Sequence, residues 1–500
     1  MKKESVLEYI KEYAKTKPDI LAVCELRKTV TYKEYWSNIS KMANVLGKMA
    51  IKKGSHVVLR CTQSIDFLTI FSALQYIGAL VIPIEKAVKP ERVIEIAKEV
   101  DASIVISDVK VDGMTSFLVK ELISEMEEED EINLPLPKEE EHSMLLFTTG
   151  TTGKSKGVVV KHINDVAIAE NVIVGTHMRE GNVEIIPMPL NHAYGMRRYQ
   201  SDMVHGGTVC LMDGMVLIGN LWKLIDTYHA TSMALSPAFL SMIFQLSGDR
   251  IASYQNQFDY IQIGSAPLGE ADKKRLLTLM PNTRLYNFYG ASEAGCSCIL
   301  DFNSPDDVSG CIGRPTVNSI MRFVDEDGNT VMHPSEEEPA LLSWGGKIVV
   351  EGYYKDPEMT KETIEDGYVR TKDLAYLDDE GRCILVGRAD DIINCGGNKI
   401  SPVEVEGCAR GYAQIMDCAY GSQSDEVAGE VPVMLVVPKE GYQESEFVAY
   451  LTKRLEAYKL PKTIYYVESI PKTFKGSLLR KQIKKIIESY KEEYKNGRIY

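Results

Sequence analysis

The densest cluster of chemistry-bearing residues is TTGTTGKSKGV at 148 to 158, directly after the apolar run Met144, Leu145, Leu146 and Phe147. A strand that ends in such a segment turns its glycines and hydroxyls outward. Gly150, Gly153 and Gly157 allow tight turns with exposed amides, and Thr148, Thr149, Thr151, Thr152 and Ser155 offer hydroxyl donors. Lys154 and Lys156 add the positive charge that a polyphosphate needs. The P-loop pattern is the obvious rival and fails, because it requires glycine five residues before the Gly-Lys-Ser and Thr148 stands there. Taken alone, such a loop also reads as a flexible linker.

Six further segments follow in order: PLNHAYG at 189 to 195, GSAPL at 264 to 268, NFYGASEAG at 287 to 295, YVRTKDL at 368 to 374, GRADDIINCGGNKISPVEVE at 387 to 406 and PKTFKGSLLR at 471 to 480. With the 148 to 158 loop they resemble, over nearly the whole chain, the adenylate-forming superfamily of acyl-CoA synthetases, peptide-synthetase adenylation domains and luciferases. Within it the chain is most similar to AMP-dependent acid–CoA ligases. The resemblance implies an enzyme that uses ATP and Mg2+ to activate a carboxylic acid as acyl-AMP and then transfers the acyl group to a thiol, with CoA as the expected acceptor substrate. Carboxylate attack on the α-phosphate joins two anions at a pentavalent phosphorus, so the site must gather cations and hydrogen-bond donors.

By that resemblance the 148 to 158 loop holds the β- and γ-phosphates, Ser292 faces the α-phosphate, and Glu293 helps coordinate magnesium, a hard cation suited to oxygen ligands. Tyr289, followed by Gly290, stacks on adenine, and Gly264, Ser265 and Ala266 form the other wall of the nucleotide slot. Asp373 accepts both ribose hydroxyls, as the two oxygens of a carboxylate allow, with Arg388 behind it. His192 lines the acyl pocket and the entry of the thiol arm as a steric and polar gate. Asp390 is the implied hinge between a large nucleotide- and acyl-binding domain, 1–389, and a small mobile C-terminal domain, 390–500. Gly396 and Gly397 then lie along the pantetheine tunnel, where a side chain would block the thiol.

Two positions depart from the family pattern. Lys372 stands where glycine usually precedes the ribose aspartate; the loop should tolerate it unless it crowds. The C-terminal motif P-K-T-x-x-G-K ends in a lysine that bridges carboxylate and α-phosphate, and the matching residue here is Ser477, with a lysine two residues earlier at Lys475. Either Lys475 reaches in as the catalytic residue, or another cation substitutes, or adenylation is weak and the protein serves the second half-reaction or binding alone. Losing such a contact costs roughly 3 to 4 kcal/mol, which would slow activity a few hundredfold without abolishing it.

The acyl pocket is expected between the histidine and YGAS motifs, lined by some of Met196, Tyr199, Met233, Ser236, Gly264, Tyr289 and Cys296. Arg197 and Arg198 could recognise a second carboxylate on the substrate, but arginines at that point are expected to face solvent or a neighbouring subunit. After Tyr228 the binding walls hold no acidic residue apart from Asp259 to pair with an α-ammonium, so simple carboxylic acids are favoured over amino acids. The alternatives are a stand-alone adenylation enzyme that loads a carrier-protein phosphopantetheine and a nucleotide- or acyl-AMP-binding protein weakened in catalysis.

The elements that must position these residues form an α/β pattern with largely parallel sheets. Short β-rich runs at 56 to 60, 103 to 106, 144 to 148, 208 to 212, 231 to 235 and 259 to 263 alternate with helical patterns such as 221 to 228. Thr31 and Glu34 make a capping box for a helix over about 32 to 49. The stretch 67 to 84 reads as a buried helix running into a buried strand, and the acidic run from Glu125 to Glu131 as a solvated connector. From about 391 the pattern becomes that of a compact α+β unit ending in a lysine-rich helix.

Length and composition agree. Five hundred residues exceed one core, and 44% apolar with 26% charged residues is ordinary globular composition. A net charge of -14 argues against nucleic acid or an anionic membrane as partner. Ten scattered cysteines without a C-x-x-C unit read as reduced thiols, and the N-terminus lacks a signal-peptide run, so a cytoplasmic monomer or homodimer without integral membrane association is expected.

Overall fold

Thr31 Oγ1 accepts the Glu34 amide while the Glu34 carboxylate accepts the Thr31 amide, and from that capping box runs the helix Tyr32–Lys48. Its Tyr35, Ile39, Met42, Ala43 and Leu46 face inward at helical spacing. The helix Ile65–Ile77 that packs beside it is buried on nearly all sides and ends at Gly78, whose φ of 83° lets the chain reverse into the buried strand Leu80–Ile84. The computed structural model describes residues 3–148, 156–212, 217–266, 268–395, 398–425, 429–472 and 478–495.

Two sheets build the bulk of the large unit. A seven-stranded sheet has a parallel centre formed by His142–Thr148, Leu80–Ile84, His56–Arg60, Ile104–Ser107 and Thr115–Leu118. A nine-stranded sheet runs parallel through Arg284–Ala291, Tyr260–Ile263, Ser232–Leu235, Val183–Ile186, Thr208–Leu211 and Leu21–Cys24. Side chains alternate across each strand, so Val57 and Leu59 enter the core shared with the helices between the sheets while Val58 enters the core on the far face. A third, antiparallel sheet includes Tyr368–Leu377 and Cys383–Arg388.

The turn Ala389–Asp391 leads from that sheet into a small α+β unit. Its strands Ile393–Cys395, Asn398–Ile400, Ile415–Asp425, Gly429–Pro438 and Thr463–Tyr466 carry the helices Pro402–Arg410, Glu444–Thr452 and Arg480–Lys495, with two apolar clusters of their own. Arg480 ties the unit to the connecting turn. It holds both Glu406 oxygens, at 2.5 and 3.0 Å, and stands 3.5 Å from Asp391.

Every strand expected from the sequence is present in place, and all ten cysteines are free thiols. Among the described residues no helix is long and apolar enough to cross a membrane. The acidic connector is less detached than its composition suggested. Glu129 accepts from Asn44 and Lys48, and Glu131 from Ser37, so part of the run is pinned to the helix Tyr32–Lys48.

Candidate functional site

In parallel sheets the ligand crevice lies outside the carboxyl ends of the strands. His192, Ser236, Gly264 to Ala266 and Ala291 to Glu293 all follow the carboxyl ends of neighbouring strands of the nine-stranded sheet. A polar cleft of about 310 Å³ opens at the opposite ends, bordered by Asn182, Thr231, Asp259 and Arg284. Asp259 is already bridged there by Arg179, at 2.9 Å, and by Arg284.

Two glycines shape the segments at these carboxyl ends. A Cβ on Gly195 would lie 2.4 Å from the Pro189 carbonyl oxygen, so only glycine lets the helix Ala193–His205 start this close to the strand end and place His192 at its N-cap. A Cβ on Gly290 would lie 1.8 Å from the Gly295 carbonyl oxygen, which makes Gly290 a requirement of the turn that carries Ser292 and Glu293. Gly264 abuts the Tyr194 ring, 3.2 Å from where its Cβ would be. Ser265 takes φ +78°, a left-handed conformation that serine rarely adopts and that is typical of functional loops. Ala266 is half-buried beside it.

Two sets of contacts, one at either end of the segment 289–293, gather most of the remaining predicted residues. The Lys156 ammonium lies 5.6 Å from the centre of the Tyr353 ring, and the Tyr353 hydroxyl donates to Glu293 at 2.5 Å. The Val350 amide holds the Glu293 carbonyl at 3.0 Å. Two residues before this turn, the Tyr289 hydroxyl donates to Asp373 at 2.5 Å, and Arg388 stands 4.0 Å from the other Asp373 oxygen. Asp373 and Arg388 are register partners on adjacent antiparallel strands, which is why residues fifteen apart in sequence meet. Burial and the Asp373 charge push the Tyr289 hydroxyl well above its usual range, so it stays a donor.

Lys372 does not crowd this site. Strand alternation turns it away from Asp373, and it pairs with Asp390 at 2.7 Å while both side chains stay more than half exposed. Tyr353 was not singled out from the sequence, since its role depends on a partner sixty residues away. Thr149, Gly150, Thr151, Thr152, Gly153, Lys154, Gly396, Gly397, Lys475 and Ser477 lie outside the described residues, as does the side chain of Thr148. Thr148 and Lys156 are register partners on adjacent antiparallel strands.

The arginine pair departs from expectation. Arg197 is 7% and Arg198 1% exposed, so neither faces solvent or a neighbour. Arg198 forms a closed pair with Glu184, joined by the Tyr260 hydroxyl. Arg197 donates instead to the carbonyls of Ala291, at 3.0 Å, and Ser292, at 2.6 Å. Of the expected pocket lining, Tyr199 packs in the core with its hydroxyl 2.7 Å from that of Tyr35, and Met233 belongs to an apolar cluster on the other face of the sheet.

Beneath the site, one helix carries two buried titratable groups of opposite tendency. Burial raises the Asp165 carboxyl from 3.8 to about 7 and lowers the His162 ring from 6.5 to about 4. Folded protein therefore holds a proton on Asp165 that the unfolded chain releases, and stability falls as pH rises from about 4 to about 7. His162 acts in reverse, since the unfolded chain takes up its proton first and stability falls as pH drops from 6.5 towards 4. Asp165→Asn should thus raise the melting temperature most at mildly alkaline pH, by an equivalent of up to about 4 kcal/mol, and leave only the acid-side loss. Melting curves across pH check this; an unchanged profile would refute the buried charge.

Comparison with known proteins places these features in context. Residues 10–354 match the sequence profile described as AMP-binding enzyme, and residues 404–476 match the AMP-binding enzyme C-terminal domain. The chain is 25% identical to 4-coumarate-CoA ligase 1 of Narcissus pseudonarcissus, over 94% of this chain and 90% of that one. It is 24% identical to 2-succinylbenzoate–CoA ligase of Bacillus cytotoxicus, over 97% and 99%. Among solved structures, ATP-bound MatB from Rhodopseudomonas palustris superposes with a TM-score of 0.87 at 21% identity, covering 98% of this chain and all of that one. The o-succinylbenzoate CoA synthetase of Bacillus subtilis bound to its acyl-adenylate superposes at 0.84 with 21% identity, over 95% and 97%.

Proposed function

The chain belongs to the AMP-binding enzyme family, and from that premise we propose that it converts a carboxylic acid and ATP to acyl-AMP and pyrophosphate, then passes the acyl group to the thiol of CoA with release of AMP. The observation that carries the reading is the pair of side-chain sets at the two ends of the segment 289–293, Lys156 with Tyr353 and Glu293 at one and Tyr289 with Asp373 and Arg388 at the other. Its two ends differ in chemistry. One offers a cation and a carboxylate to the polyphosphate; the other offers an aromatic face and a carboxylate to base and ribose. The relatives named above are CoA ligases, which favours CoA over a carrier-protein thiol.

Glu293 suits a magnesium ion that arrives with the nucleotide, since such an ion takes one or two carboxylates and fills its other positions with phosphate oxygens and water. Among the described residues no cluster of three or more metal ligands competes for it. Bound there, magnesium would neutralise the departing pyrophosphate. Ser292 then meets the α-phosphate, Asp373 receives the ribose hydroxyls and His192 borders the acyl group. The connecting turn at Asp390 is the pivot about which 390–500 would exchange Lys475 for Gly397 at the site between half-reactions.

Incubation with a panel of carboxylic acids, ATP and magnesium, followed by CoA, tests the reading. Acid-dependent pyrophosphate release and then a thioester are expected; pyrophosphate without acid dependence, or none, defeats it. Lys475→Ala should slow acid-dependent pyrophosphate exchange by roughly a few hundredfold and spare thioester formation from supplied acyl-AMP. Unchanged exchange removes Lys475 from the reaction, and a gain in Ser477→Lys marks the natural enzyme as impaired in its first half.

A further inference from the structure

We propose that Arg197 is a positioning residue for the turn that carries Ser292 and Glu293, gripping two consecutive peptide carbonyls so that hydroxyl and carboxylate are presented to the nucleotide's phosphates and magnesium. The inference rests on the nucleotide site assigned above and extends it to a residue that touches neither substrate.

The turn needs such a support. It lies beyond the last ladder pair of the strands Arg284–Ala291 and Gly295–Asp301, whose register slips between Tyr289 and Gly290. Inside the turn, the Ala294 amide reaches the Ala291 carbonyl at 3.3 Å. Arg197 supplies what the ladder does not, at 3.0 Å to Ala291 and 2.6 Å to Ser292, through the two terminal nitrogens of a planar fork. These carbonyls belong to the two peptide planes that flank the Ser292 Cα, so fixing them fixes the direction in which the Ser292 and Glu293 side chains leave.

The setting of Arg197 also favours a positioning role over simple packing. Among the described residues no carboxylate lies within ion-pair distance of its guanidinium, and its Nε has no hydrogen-bond partner. Burying a cation without a contacting anion is costly, and an apolar side chain of similar volume would pack there at less expense. The nearest compensating charges are Asp165, beneath it, and Glu293, on the turn it holds. Burial lowers the guanidinium to about 10, which leaves it charged at neutral pH. Arg198, one residue on, points into the closed Glu184 pair and cannot share the task.

The test compares calorimetric affinities for magnesium-ATP and for AMP in the wild type, Arg197→Met and Arg197→Gln. AMP keeps one of the turn's two contacts, its α-phosphate meeting Ser292, but it lacks the further phosphates and the magnesium that Glu293 serves, so it is the less sensitive ligand. Arg197→Met should weaken magnesium-ATP about tenfold and AMP about threefold, with Arg197→Gln, which keeps a neutral amide donor, in between. Should the methionine variant not fold, the same split is read from the glutamine variant. Equal losses for both nucleotides, or no loss for either, would overturn the proposal. The acid panel decides the ligase reading separately: a wild-type protein that binds both nucleotides but never releases pyrophosphate would refute that reading while these affinities still judged Arg197.

Discussion

Replacing Asp373 with alanine is expected to weaken ATP and AMP binding alike by at least about a hundredfold, because two hydrogen bonds to a charged acceptor, each worth roughly 1.5 to 3 kcal/mol, are lost together. The half-buried carboxylate is already oriented from two sides, by the Tyr289 hydroxyl at 2.5 Å and by Arg388 opposite it in the ladder. Binding therefore costs little rearrangement, and the loss should fall on affinity rather than on melting temperature. Asp373→Asn retains shape but not charge and should fall between. Tyr289→Phe removes one orienting contact while retaining the ring, so its effect should stay within about tenfold. Calorimetric titration decides the matter. A change of less than threefold in Asp373→Ala would remove this residue from the ribose site.

The second large effect concerns stability. Arg198→Met should destabilise the large unit by about 3 to 5 kcal/mol, because it leaves Glu184 as a buried charge without its cation. Burial opposes the Arg198 charge, but Glu184 outweighs it and holds the guanidinium well above its usual range. Asp202, buried beside them, is pushed well up by burial first and then by Glu184, and as an acid it cannot supply the missing cation. The double variant Arg198→Met, Glu184→Gln should recover most of the loss, since breaking a buried pair costs more than removing it. Denaturant midpoints of the three proteins check this, and a single-variant cost below about 1 kcal/mol would contradict the closed pair.

The same two arginines mark the limit of what sequence discloses. The capping box at Thr31 and Glu34 is legible because both partners lie within one turn, and the strands are legible because a short β-branched run carries its own period. The site motifs could be ordered along the chain, and Asp373 and Arg388 singled out as candidates, because each sits in a recognisable local string. Arg197 and Arg198 could not be placed this way. Adjacent on one helix, they look alike in sequence, yet one is answered by Glu184 and the other by carbonyls nearly a hundred residues downstream. Burial of a charge is decided by its partners, and these are supplied by the packing of helix Ala193–His205 against two separate strands. Tyr353 escaped for the same reason, and Lys372, identified as a departure, needed the strand's alternation to show which way it points.

The nine-stranded sheet keeps its two ends for different purposes. The buried pair of Glu184 and Arg198, with Tyr260, stands near the amino ends of its strands, and the crevice opens beyond their carboxyl ends. Substitutions that redirect such a protein towards a new acid would fall in loops outside the region that bears its thermodynamic load. Choice of substrate can then drift while the melting temperature stays put, so that two descendants with unlike substrates can share one folding stability.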